Sequence, residues 1–542
     1  MSQATLPGGP PEEAEPHPPT PAPSPASPSP APPPRRDRRV VLGLVGLAAL
    51  ALVFRLEGRG MSLWLDEGLS VGIASHPLSE IPAVLRLDGS PPLYYLLLHL
   101  WMLVVGTSEE AVRGLSLLIA LATIPVAFWA GASLFGRRAA WGAAVLMATS
   151  SYLVYYSREA RMYTLLVLTT LVCVTAFTHV FVYGRRRWLA LFVLGLTATL
   201  YTHNWGLYLA LGLAAAAGVC LVVTDDRRRL LGDGVLAAGV VALLYAPWVP
   251  TLAYQAANTG APWSETPDPG DLVGVLGSIL GQGEILVALA LVGLPALVAA
   301  GRRWRGDGEG LAVVALAVAL VVSMVVAWMA SLVQPAWAGR YFGLFLPLAV
   351  LLAALGVARE GRRGTLALGL IAVLATQPFT KFPGVGSGPQ QKSNMRRAVV
   401  YVDELASAGD LVISTQIEAV PLLRYYLGPT LGYADPTGLV EDPTVVDWRH
   451  ATERLEAASP VTGLAPLVDD LDVGGHVLLV CPRTDIDEDS LDWFVLMERH
   501  CRSLRAALDD DPDMELVLGP VAPAPRGTPS ASVYFLVYEK LG

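Results

Sequence analysis

Two adjacent carboxylates, Asp66 and Glu67, stand in the stretch Trp64-Leu65-Asp66-Glu67-Gly68, just beyond the first long apolar run of the chain. A carboxylate in such a place can take a proton from an attacking hydroxyl or amine. Charged groups avoid lipid because dehydrating them is costly, so two acids at a membrane face mark either a working site or a helix end in a wet loop. Three later stretches carry polar groups of complementary type: Ser157-Arg158-Glu159-Ala160-Arg161-Met162-Tyr163, Thr202-His203-Asn204-Trp205, and Gln334-Pro335 followed by Arg340-Tyr341. Guanidinium pairs neutralise and orient a phosphate, ideally through two parallel bonds. His203, Tyr163 and Tyr341 suit the lining of a polar pocket. Each part also has a plainer reading: Glu159 as half of a local ion pair, His203 as a satisfied interfacial histidine, Arg340 as a helix-end anchor, Tyr94 and Tyr95 as members of an aromatic belt.

The elements that must position these residues are apolar helices. Of 542 residues, 53% are hydrophobic and 16% charged, against ~25% charged in ordinary soluble domains, and the mean hydropathy is +0.49. This composition describes an integral membrane protein with soluble material attached. Arginine clusters punctuate the apolar runs at Arg137-Arg138, Arg185-Arg186-Arg187, Arg227-Arg228-Arg229, Arg302-Arg303 with Arg305, and Arg359 with Arg362-Arg363. Between successive clusters lie two stretches, each long enough to cross a hydrocarbon core of ~30 Å. Placing every cluster in the cytoplasm satisfies the positive-inside rule. Only one full span then fits between Arg55 and Arg137, best met by Ala111–Phe135, which leaves Pro91–Val105 as a helix at the outer face. The expectation is about eleven spans, with the four polar stretches converging at the outer leaflet.

Residues 1–39 form a Pro-rich cytoplasmic tail, too poor in apolar side chains to offset ordering entropy, and end in Arg35-Arg36-Asp37-Arg38-Arg39. Residues 40–388 form the membrane domain, with a first external loop over about 55–110. Residues 389–542 alternate strand-like segments (Leu411–Ser414, His476–Cys481, Ser532–Tyr538) with helical ones (Met395–Ala408, Ala419–Leu427, Leu491–Leu508), the pattern of a small α/β domain outside the membrane. No Gly-rich phosphate loop follows its first strand. Cys173 and Cys220 lie in apolar helices; Cys481 and Cys501 can pair if that domain faces an oxidising compartment. The net charge of −9 is unevenly spread, and no basic stripe with interleaved aromatics suggests nucleic acid as a partner. No Cys/His or acidic cluster has metal-ligand spacing, so no metal or other cofactor is expected.

The order of motifs, Trp-Leu-Asp-Glu-Gly (64–68), Asp-Gly-Ser-Pro-Pro-Leu-Tyr-Tyr (88–95), Ser-Arg-Glu-Ala-Arg-Met-Tyr (157–163), Thr-His-Asn-Trp (202–205) and Arg-Tyr (340–341), resembles the GT-C superfamily of glycosyltransferases. More narrowly it is similar to families 39 and 83, the protein O-mannosyltransferases and the bacterial aminoarabinose-type lipid transferases. The resemblance spans residues 40 to about 350, and the C-terminal domain is similar only loosely. It implies an inverting membrane enzyme that moves a single sugar from a polyprenyl-phosphate carrier to a protein, lipid or glycan acceptor at the outer side of a bacterial cytoplasmic membrane, without a required metal. Carried over by position, it makes Asp66 the catalytic acid with Glu67 beside it. Arg158, Arg161 and Tyr163 become the donor-phosphate motif, joined by His203, Arg340 and Tyr341, and Arg55 matches an arginine of the mannosyltransferases. Ser90 departs from the His, Asn or Lys that many relatives place before the Pro-Pro pair, which leaves the sugar open. The competing functions are a flippase or transporter of lipid-linked sugar, or a ligase of whole oligosaccharides or polymers from the same superfamily. A transporter would carry charges near the bilayer midplane and often internal symmetry, and neither shows in this sequence.

Overall fold

The computed structural model describes residues 1, 2, 4, 37–56, 60–281, 284–376, 392–483, 486, 490–521 and 532–542. The expected N-terminal tail thus lies almost wholly outside the described residues. The chain is a polytopic helical protein carrying a small C-terminal α/β sheet domain, as its composition and periodicity predict. Residues 44–542 form one compact unit.

Helices α1 (Arg38–Leu56), α5 (Glu109–Phe135), α8 (Tyr163–Phe177, extended by a π turn to Val182), α10 (Gly206–Val223), α11 (Arg227–Tyr245, running on through α12, Val249–Asn258) and α15 (Gly308–Val333) are long and apolar enough to cross a bilayer. The pair α13 (Pro269–Leu280) and α14 (Glu284–Gly301) meets the same test only as one bent span. The other segments read as spans fold as shorter helices: α6 (Arg137–Thr149) followed by the short α7 (Ser151–Tyr156), α9 (Leu189–Thr202), α16 (Leu346–Arg359) and α17 (Gly361–Thr376). Against the expected count of about eleven spans, six helices among the described residues reach spanning length by themselves, or up to seven if the bent pair is one span. Between α1 and α5 lie α2 (Leu65–Ser75), α3 (Ile81–Asp88) and α4 (Leu93–Val105). The 13 residues of α4 extend about 20 Å at 1.5 Å per residue, short of a hydrocarbon core.

The C-terminal region holds one six-stranded sheet of order β3-β2-β1-β4-β6-β5, built from β1 (Leu411–Ser414), β2 (Gly432–Asp435), β3 (Gly438–Leu439), β4 (His476–Pro482), β5 (Met514–Val521) and β6 (Val533–Lys540). Strand β1 is parallel to both β2 and β4, whereas β6 runs antiparallel to β4 and β5. The period of two is visible in the packing. Leu411, Ile413, Val477, Leu479, Leu536 and Tyr538 bury into a core on one face, and Val412, Leu478, Val480, Phe535 and Val537 bury on the other. That second face merges with the core of the helical bundle. The expected helix Met395–Ala408 is shorter, Met395–Val400 (α18). Strands β2, β3 and β5 were not legible, because two are very short and β5 exposes most of its residues. Cys481 on β4 and Cys501 on helix Asp492–Asp510 are disulfide-bonded.

Candidate active site

The four polar stretches meet at one end of the bundle, and glycine explains part of how. Helix α2 starts at the acidic motif and lies directly on the C-terminal domain. A Cβ at Gly68 would stand 2.8 Å from the Leu422 Cα, and one at Gly72 would stand 1.8 Å from the Thr444 carbonyl oxygen. These glycines are four residues apart, hence on one face of α2. Farther on, Gly89 ends α3 in the left-handed region, at φ 92°, where a side chain would be strained. The turn it makes is tied down from two sides: Asn204 Nδ2 donates to the Gly89 carbonyl (2.9 Å), and Gln255 Nε2 donates to Leu85 O (2.7 Å) and Ser90 O (3.3 Å). The Asp-Gly-Ser-Pro-Pro and Thr-His-Asn-Trp motifs are thereby locked together.

Asp66 is the focus. Its Oδ2 lies 3.2 Å from Arg340 Nη1 and 3.7 Å from Arg161 Nε. Arg161 also donates to Ser70 Oγ and Tyr95 OH, both at 3.2 Å, and Arg340 stacks over the Trp263 ring at 3.9 Å. The Asp66 side chain keeps 21% of its surface open. Burial pushes its carboxyl up, but Arg161, Arg340 and Lys392 together outweigh that and hold it below the usual carboxylate range. Asp66 is therefore ionised at neutral pH. Asp88, at the end of α3, lies in the field of Arg161, and burial pushes its carboxyl above the usual range. Glu159 is also raised by burial, against the pull of its partner Lys392.

Not every predicted residue faces this focus. Glu67 is 1% exposed and is consumed by structure. Its two oxygens take a bidentate pair from Arg113, at 2.7 and 2.6 Å, together with the backbone N–H groups of Ala160 (3.0 Å) and Trp64 (3.3 Å). It caps α2 and pins it to α5 and to the 157–163 motif, and it does not face Asp66's guanidinium pair. Arg55 has a different task from the one the resemblance implied. It is buried and donates to the carbonyls of Ala51 and Ala148, both at 3.0 Å, closing α1 against α6. Arg158 donates to the Phe54 carbonyl on that same seam, so Arg161 and Arg340 are the pair that meets Asp66.

Tyr163, His203 and Tyr341 do come together. The Tyr341 ring lies 4.6 Å from His203 and 6.4 Å from Tyr163, and the buried Tyr163 hydroxyl has no hydrogen-bond partner among the described residues. The Nδ1 of His203 accepts from the Trp205 backbone N–H at 3.1 Å, which places the ring proton on Nε2. Burial, with Arg161 and Arg340 nearby, holds its pKa down to about 3, so it is a neutral hydrogen-bond donor.

Sequence reasoning missed Arg113, Lys392, Tyr95 and Trp263. Lys392 pairs with Glu159 and lies over the Trp64 and Tyr155 rings at 4.2 and 4.4 Å. It stands at the start of the C-terminal region, just ahead of α18 and far from every motif, and no local pattern marks it. Arg113 was hidden inside a span, although an arginine in an apolar helix is itself a signal of an internal partner. Among the described residues no three His, Cys, Asp or Glu side chains are grouped to hold a metal ion.

Residues 89–254 match the sequence profile of the family described as dolichyl-phosphate-mannose-protein mannosyltransferase. Among curated proteins no sequence relative matches. The fold is similar to ArnT from Cupriavidus metallidurans in its apo state, with a TM-score of 0.61 and 14% identity over 92% of this chain and 98% of that one. It is also similar to the same protein bound to undecaprenyl phosphate, with a TM-score of 0.58 and 13% identity over 93% of this chain and 98% of that one. The archaeal oligosaccharyltransferase AglB from Archaeoglobus fulgidus, in complex with an inhibitory peptide and a dolichol-phosphate, gives 0.54 at 11% identity, over 86% and 72%.

Proposed function

We propose that this chain, a GT-C superfamily glycosyltransferase of the protein-mannosyltransferase and ArnT type, transfers a single sugar from a polyprenyl-phosphate donor to an acceptor outside the membrane, with inversion. The observation that carries the reading is an ionised carboxylate, Asp66, joined to two largely buried guanidiniums from distant loops at one end of an apolar bundle. The relative bound to undecaprenyl phosphate supports a lipid-phosphate donor. In the reaction, the acceptor oxygen or nitrogen attacks the anomeric carbon and its proton passes to the Asp66 carboxylate. The bond from C1 to the phosphate oxygen breaks, and the electron pair leaves on the phosphate. Arg161 and Arg340 face that developing charge, and such preorganised stabilisation is worth several kcal/mol. A base held below the usual range stays unprotonated at every physiological pH and becomes a better proton acceptor once the leaving phosphate shares its guanidiniums.

The Tyr163 hydroxyl, His203 Nε2–H and the Tyr341 ring line the sugar pocket in this reading. Arg158 stands at the rim of the phosphate, and Glu67 and Arg55 hold the frame. The disulfide between Cys481 and Cys501 supports an oxidising, extracytoplasmic side for the α/β domain, and the arginine cluster before α1 supports a cytoplasmic N-terminus, in our reading in a bacterial inner membrane. Transfer requires no metal, so activity survives EDTA. A transporter would need polar groups along the membrane depth, whereas the groups gathered on Asp66 lie at one end of the helices.

The test is transfer of radiolabelled mannose from polyprenyl-phosphate-mannose to endogenous acceptors in membranes carrying wild type or Asp66→Asn. Loss in the variant at equal expression supports the mechanism. Equal transfer in both removes Asp66 from it, and no transfer from any lipid-linked sugar sinks the reading. The anomeric configuration of the product, read by NMR, tests inversion.

A further inference from the structure

Away from Asp66, a dense set of unpartnered buried polar atoms lies at the carboxyl end of β1. Thr415 and Gln416 are buried at 0% and 2% exposure, and Glu418 at 9%. The backbone is satisfied there: Thr415 N donates to Val480 O on β4 at 3.1 Å, and Ser414 Oγ donates to Gln416 O at 2.8 Å. The side chains are not. Among the described residues Thr415 Oγ1, Gln416 Oε1 and Glu418 Oε2 have no hydrogen-bond partner, while Glu418 Oε1 accepts from Trp493 Nε1 at 2.8 Å. Buried polar atoms are rarely left unpaired in a stable fold, and three on four consecutive positions imply an absent partner.

The topology says where that partner enters. From β1 the chain crosses to β2 on one side, and β4 then pairs on the other side, both parallel to β1. The strand order reverses between β1 and β4, and ligands of open α/β sheets bind outside the carboxyl ends of strands at such a reversal. The carboxyl end of β1 abuts the active end of the bundle. Glu418 lies one turn before Leu422, the residue against which Gly68 of α2 packs, and Asp66 stands in the first turn of α2.

The chemistry of the lining selects the ligand. Two of the three free atoms, a carboxyl and an amide oxygen, can accept hydrogen bonds, and the third, a hydroxyl oxygen, can accept as well. They disfavour a phosphate and suit a molecule with several adjacent O–H donors. A peptide strand would need an open sheet edge, but β1 is an interior strand, paired on both sides. Burial pushes the Glu418 carboxyl up to about 7, with Asp66 adding to the rise, so a neutral polyol is a fitting partner for it. We propose that Thr415, Gln416 and Glu418 form a subsite of the α/β domain that holds a glycan acceptor by its hydroxyls and presents it to Asp66. This rests on the transferase reading above.

The experiment uses the full chain in nanodiscs, with Trp493 fluorescence followed during titration with mannobiose and arabinobiose. Wild type is expected to give saturable binding of at least one disaccharide. Glu418→Gln keeps an oxygen for the Trp493 N–H but turns the free atom into a donor, and Thr415→Val preserves shape. Each is expected to raise the half-saturation concentration at least tenfold, with retention of labelled polyprenyl-phosphate-mannose unchanged. A merely structural role would instead lower the melting temperature and weaken donor and disaccharide alike. No saturable sugar response in wild type, equal affinity in both variants, a joint loss of donor and sugar, or saturation by a Ser/Thr peptide in place of sugar each overturns the subsite. The two readings separate on the same samples. Disaccharide binding that the variants lose, with no sugar transfer by wild type, defeats the transferase and leaves the subsite. Normal transfer with unaltered binding in both variants does the reverse.

Discussion

The two ends of the helical bundle carry arginines in opposite ways. At the end formed by the 157–163, 203–205 and 339–344 segments, Arg161 and Arg340 are 10% and 18% exposed and converge on a single carboxylate. At the other end, Arg186, Arg303 and Arg359 pair with Asp233, Asp307 and Glu309, and each keeps more than half of its surface in solvent. The difference teaches that charge type says little and dehydration says much. Exposed pairs are worth about 0–1 kcal/mol and serve orientation in the membrane. A guanidinium that has lost its water must be met by acceptors inside the protein: the Asp66 carboxylate for Arg161 and Arg340, backbone carbonyls for Arg55.

The comparison can be broken most severely at its centre. Asp66→Asn should lower transfer by about 10³-fold, within the usual range for a general base, while Asp307→Asn at the opposite end leaves it unchanged. A variant retaining a tenth of wild-type rate would defeat the assignment. Next, Arg113→Met leaves Glu67 buried without its partner, and losing one side of such a pair costs about 3–5 kcal/mol. The melting temperature in nanodiscs should fall sharply, and no change would mean that Glu67 is solvated. Arg340→Ala should slow turnover about 10²-fold, with a smaller loss for Arg340→Lys, and single-turnover kinetics separates this from donor binding.

The next test sharpens the contrast through pH. His203 is neutral in the fold with a pKa near 3, against about 6.5 unfolded. Below pH 6.5 the unfolded chain takes up the proton first, so the stabilising contribution is complete above that pH and is lost progressively down to about pH 3. Between pH 6.5 and 5 the loss is about 2 kcal/mol, and His203→Gln should remove that part of the pH dependence of thermal unfolding. A pH profile unchanged by the substitution would show that the ring titrates normally. Smallest of all, Arg303→Ala should move stability by under about 0.5 kcal/mol and leave turnover intact, as measured by the same assays.

Asp66 was readable because an acid beside a long apolar run violates the expected pattern, whereas the close approach at Gly68 and the left-handed turn at Gly89 came only from the structure. The length and spacing of apolar runs, the arginine clusters between them and the period-two segments after residue 389 also determined, without any structure, that this is a helical membrane protein with a small α/β domain. These features are local, and local periodicity is set by the geometry of single helices and strands. What only the tertiary structure decided is which charges pair. Glu67 and Arg113 are 46 residues apart, Glu159 and Lys392 are 233 apart, and Asp66 and Arg340 are 274 apart. No helical or strand period links such positions. Two acids that are neighbours in the chain were therefore given different work: α2 points Glu67 into the protein against Arg113 and leaves Asp66 facing the open side, where two guanidiniums meet it.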